Sequence, residues 1–140
     1  MHPLLIDVVA CLAYGVVGIA LMALGYLIVD LLTPGKLHEL IWTNRNRNAT
    51  LIVASNTLGV AIVVSTAIAA SANDLAAGLV TTVVYGLVGL LLMALSFLLI
   101  DLLTPGKLGS IVAENELHPA AWVNASAHLA VAAVVATAIY

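Results

Sequence analysis

The chain has 140 residues, of which 64% are hydrophobic and 8% charged, with four Lys and Arg residues, a net charge of −3 and a single cysteine. A water-soluble domain carries roughly a quarter charged residues on its surface, so this composition excludes an ordinary soluble fold. Four basic residues without a clustered basic face exclude nucleic-acid binding. Cys11 alone permits neither an intramolecular disulfide nor a thiolate metal cluster.

Four stretches are long and apolar enough to cross a bilayer core of about 30 Å, which takes roughly 20 residues of helix. In chain order they are Val8–Leu32, Ala49–Ser71, Leu75–Leu103 and Ala120–Tyr140. The predicted fold class is therefore an all-α membrane protein of four transmembrane helices. Met1–Asp7 carries no basic residue and the apolar run after it far exceeds a signal-peptide core. The first span is accordingly expected to be retained rather than cleaved.

The first span ends at Asp30-Leu-Leu-Thr-Pro-Gly, where proline removes a backbone donor and glycine permits a left-handed turn. Beyond it, Lys36–Trp42, like Lys107–Val112 later in the chain, mixes polar and apolar residues, which predicts a short surface-lying segment with Trp42 at headgroup level. The third span repeats this design. Tyr14–Leu37 aligns with Tyr85–Leu108 at an offset of 71, with 17 of 24 positions identical. The second and fourth spans correspond more weakly at the same offset, through Ala49 with Ala120, Ala54 with Ala125, Ser55 with Ser126 and Leu58 with Leu129.

The repeat predicts two tandem helix–loop–helix units, residues 1–72 and 73–140, each crossing the membrane twice. Two crossings return each unit to its starting side, so the copies share one orientation, and a pseudo-twofold axis would run along the membrane normal. Lys36, Arg45, Arg47 and Lys107 all fall in the loops 33–48 and 104–119. The positive-inside rule puts those loops in the cytoplasm and both termini outside.

Six polar residues are candidates for function. Asp30 and Asp101 stand one turn before each proline stop, where a carboxylate opposes the negative end of its own helix. Pairing with Lys36 or Lys107, or interfacial hydration, would compensate them; a proton or cation relay is the alternative. Deeper in the membrane lie Asn56 and Thr57 on the second span, and Asn124 and His128 on the fourth. Asn124 and His128 share a face at i, i+4, and the repeat offset aligns Thr57 with His128. These four side chains predict a polar cluster between the second and fourth helices, either hydrogen-bonding across helices or lining a path for a solute or proton.

Gly15, Gly18, Gly59, Gly86 and Gly89 supply small faces for close helix packing, and Met22 and Met93 serve as gap fillers. The four histidines show no paired ligand spacing on one helix, so no metal and no cofactor are expected. The usual catalytic signatures are also missing, with no nucleophile elbow, phosphate-binding glycine loop or His-Glu-x-x-His. The expected role is a non-enzymatic membrane subunit, homo-oligomeric or bound to a protein partner through its loops. The alternative is a small channel or carrier using Asn56, Thr57, Asn124 and His128.

The duplicated helix pair, the stops Asp30–Pro34 and Asp101–Pro105, and the run from Asn46 through Ala49 to Gly59 together resemble a known family. It comprises small bacterial membrane proteins built from the domain of unknown function DUF350, also grouped as UPF0719 transmembrane proteins, and the resemblance covers nearly the whole chain. It implies a polytopic protein of the bacterial inner membrane, with no substrate, cofactor or catalytic residue to carry over. The second unit departs from the family pattern, since His118-Pro119-Ala120 stands near the place of the asparagine, with Asn115 close by.

Overall fold

The computed structural model describes residues 2–33, 36–71, 74–103 and 116–140. Four long helices account for nearly all of them: α1 (Pro3–Leu32), α2 (Arg47–Ala69), α3 (Leu75–Leu103) and α4 (Pro119–Ile139). Each is long and apolar enough to span a bilayer. The proline-glycine stops at 34–35 and 105–106, Lys107, the segment expected over 107–112, Asn73 and Asn115 lie outside the described residues.

Helix α1 begins five residues before the expected span, and the reason is local. His2 caps it, with Nδ1 accepting the Leu4 N–H at 3.2 Å, and Pro3 takes the first helical position, where no backbone donor is needed. A similar pair starts α4, where His118 Nδ1 accepts the Ala120 N–H at 3.0 Å ahead of Pro119. In α2 the cap is Asn46, whose Oδ1 accepts the Ala49 N–H at 2.9 Å. The histidine of the second unit thus performs the capping done by the asparagine of the first.

Leaving α1, the chain turns back onto the bundle. Leu37 is fully buried, and a π-helical turn, Glu39–Thr43, carries Trp42 outward at 72% exposure. The expected surface segment is therefore a helical turn pinned by an apolar anchor. The Asn46 N–H donates to the Leu40 carbonyl at 2.8 Å, closing the turn onto the start of α2. Between them Arg45 adopts φ 51°, a left-handed conformation that costs a side-chain-bearing residue on the order of 1 kcal/mol.

The most extensive pairing in the bundle is α2 with α4, and α1 and α3 pack around it. One apolar cluster fills the centre of the bundle, around Leu21, Val60, Val63, Leu90, Met93 and Val135. A second sits at the loop end, where Val29, Leu37, Ala49, Ile52 and Phe97 meet. Glycines set the spacing between helices. A Cβ on Gly86 would lie 2.5 Å from Leu21 Cδ1, and one on Gly89 would collide with Val63 Cγ1. Met93 fills the space over Gly59, as expected of a flexible thioether. Gly15 is different, because nothing lies within 4 Å of its Cβ position and it faces outward from α1.

Helix α1 buries only Gly18, Leu21, Gly25 and Val29, and presents Leu12, Val16, Ile19 and Leu31 at 64–84% exposure. Helix α3 is similarly apolar outside, with Leu91, Leu99 and Leu102 exposed. A continuous apolar belt of this kind is stable against hydrocarbon and not against water. At 1.5 Å per residue, α1 is about 45 Å long, so it tilts or extends through the headgroup layer.

Candidate functional site

Three of the four predicted intramembrane polar residues are buried inside the bundle. Asn124 and His128 lie on the inner face of α4 at 0% and 1% exposure, and Asn56 lies on the inner face of α2 at 4%. Ser55, Asn56, Gly59, Val60 and Val63 make up the buried side of α2 in this region. Phe97 of α3 connects the two polar sets. Its ring stands 5.5 Å from the His128 ring, tilted by 36°, and it also lines a small cavity beside Asn56.

That cavity measures about 10 Å³ and is otherwise walled by Gly25, Val29, Leu90 and Met93. A volume of this size holds on the order of one water molecule. Gly59 brings α2 against the α4 backbone at this level, since a Cβ there would meet the His128 carbonyl oxygen at 3.5 Å.

Thr57 does not join the cluster. It is exposed on the outside of α2, and its hydroxyl donates to the Val53 carbonyl at 2.8 Å. A threonine can face lipid because the carbonyl one turn back satisfies its only donor. At the repeat offset Thr57 aligns with His128, yet the two residues face opposite environments.

Both nitrogens of His128, both polar atoms of the Asn124 amide and the Thr82 hydroxyl are buried without a hydrogen-bond partner among the described residues. Each such group costs roughly 1–3 kcal/mol relative to a satisfied one. Thr82, on α3 and fully buried, was not among the sequence candidates. Its neighbour Thr81 bonds the Ala77 carbonyl in the ordinary way, and no sequence pattern separates the two.

The aspartates sit at the membrane boundary. Asp30 is half-buried, and its Oδ1 accepts the Leu37 N–H at 2.9 Å, so a backbone amide compensates it. This bond ties the end of α1 to the buried anchor of the loop. Asp101 stands at the equivalent place in α3, half-buried and also engaged.

Asn48 is a further residue that sequence reasoning missed. Fully buried at the start of α2, it donates from Nδ2 to the Glu116 carbonyl at 2.9 Å and accepts the His118 N–H on Oδ1 at 2.8 Å. Among the described residues no group of three or more His, Cys, Asp and Glu side chains converges as a metal site would.

The family described as Domain of Unknown Function (DUF350) matches residues 3–139 of this chain. A UPF0719 transmembrane protein of Mycolicibacterium paratuberculosis is 40% identical over 139 residues, covering 99% of this chain and 92% of that protein. A UPF0719 transmembrane protein of Mycobacterium bovis is likewise 40% identical over 139 residues, covering 99% of this chain and 91% of the relative. No solved structure matches.

Proposed function

The chain belongs to the DUF350 family, and from that premise we propose that it serves as a non-enzymatic subunit of an assembly in the bacterial inner membrane. It would associate with itself or with a partner protein, with loops 33–48 and 104–119 in the cytoplasm and both termini outside. One observation carries this reading: α1 fully buries only four of its residues within its own chain, while Gly15 and the exposed Cys11 form a small-residue face turned away from the core. In lipid, close helix association depends on such faces. The cavity beside Asn56 is small, about 10 Å³.

Intact mass in native nanodiscs, with every co-purifying protein identified, tests the proposal. A defined oligomer or a stoichiometric partner is expected, and Gly15→Ile should shift the population towards the single chain. A wild-type protein that is monomeric and unaccompanied overturns it. Orientation is read separately from Asn44→Cys and Asp74→Cys in a Cys11→Ala background, with labelling of position 44 expected only from the cytoplasm.

A second reading, a small-solute or ion carrier, draws on the unpartnered polar atoms of Asn124 and His128. Such groups in a membrane interior are commonly part of a pathway. Flux into liposomes, abolished by His128→Phe, would support it, and equal rates with and without protein across a panel of ions and solutes would end it.

A further inference from the structure

On the loop side of the bundle, the chain between the π-helical turn and α2 meets the start of α4 around an open groove of about 380 Å³. Its lining changes character along α2. Arg45 and Arg47 stand at the start of the helix, Thr50 and Leu51 lie about one turn further along it and Ala54 about two, while Trp122 lines the groove from the first turn of α4. At 1.5 Å per residue, Ala54 lies about 10 Å along the helix axis from Arg47. This is the distance over which a bilayer passes from charged headgroup to hydrocarbon. Among the described residues that line it there is no acidic side chain.

We propose that this groove binds one anionic glycerophospholipid, with its phosphate on the Arg45 and Arg47 guanidiniums and an acyl chain along Leu51 and Ala54. The ligand must be an amphiphile, because a free anion would use only the upper half and a neutral hydrocarbon only the lower. Guanidinium groups bind phosphate oxygens through paired donors, and basic pockets between transmembrane helices hold anionic headgroups in this way. Two of the four basic residues of the chain are spent on this groove. Trp122, 56% exposed at the start of α4, suits the interfacial depth at which the headgroup would sit.

The test uses the full chain in nanodiscs of equal phosphatidylglycerol and phosphatidylcholine, transferred to mild detergent, with retained lipid counted by native mass spectrometry. One phosphatidylglycerol is expected to be retained at least about tenfold over phosphatidylcholine, the order of effect of two basic residues at an anionic surface. R45Q/R47Q should reduce that preference to near unity. Ala54→Trp should fill the groove and reduce retention as strongly without altering charge. If the double variant does not fold, Ala54→Trp decides alone. Equal retention of both lipids, or unchanged retention in the folded variants, overturns the proposal. Displacement of the lipid by millimolar inorganic phosphate, or a polypeptide found protecting the groove, also overturns it.

Discussion

The side-chain oxygen of Asn48 accepts the backbone N–H of His118 at 2.8 Å, joining the first turn of α2 to the residue that caps α4. The amide nitrogen of Asn48 holds the Glu116 carbonyl at the same time. A single side chain therefore ties the start of the second helix to that of the fourth, between positions 70 residues apart.

Replacing Asn48 by Ala removes the bonds to the Glu116 carbonyl and the His118 N–H, which lie at the partly exposed end of the bundle. A loss of about 1–3 kcal/mol is expected from two such bonds, read as a lowered unfolding midpoint in detergent. Hydrogen exchange should rise first at residues 116–121. A midpoint unchanged from the parent would show that the clamp is redundant.

The glycines divide into two kinds. Gly89→Ala should destabilise by about 1–3 kcal/mol, because the β-branched Val63 it would strike has little rotamer freedom with which to yield. Gly15→Ala should be neutral or stabilise by up to about 1 kcal/mol through helix propensity, since its Cβ position is open. Both are read from the same unfolding curves, and equal effects at the two sites would contradict the packing described.

Apolar replacement separates a structural cluster from a working one. Asn124→Leu removes two unpartnered buried atoms and should raise stability by on the order of 1 kcal/mol. His128→Phe, set beside Phe97, should behave in the same way. Neither is expected to change the native mass, because both side chains point into their own bundle. Marked destabilisation would mean that a polar partner occupies the interior.

At Asp30 the question is whether charge or geometry matters. Asp30→Asn keeps an oxygen for the Leu37 N–H and should cost less than about 1 kcal/mol, whereas Asp30→Ala abandons that donor and should cost about 1–3 kcal/mol. Limited proteolysis across residues 36–46 should follow the same order. Equal damage from both substitutions would point to the carboxylate charge.

The four spans were legible because a bilayer leaves a chain no other economical way to satisfy its backbone. The start of α1 was not found by apolarity, since Asp7 interrupts the run, although His2-Pro3 is a readable cap. What the sequence could not supply was rotation. The helices are apolar nearly all round, so no strong stripe tells which side turns inward. Asn56 and Thr57 are adjacent in sequence and end in opposite environments for that reason. The clamp of Asn48 and the contact of Phe97 with His128 depend on tertiary placement that no local pattern encodes.

At the offset that aligns the two units, Pro119 occupies the place of Asn48, and proline has no side chain with which to return the grip. Among the described residues the clamp therefore runs one way, from the first half to the second. The two halves act as a lock and its keeper. A chain assembled from two first halves would carry a clasp on each side and the His118 latch on neither, while two second halves would have nothing to close them.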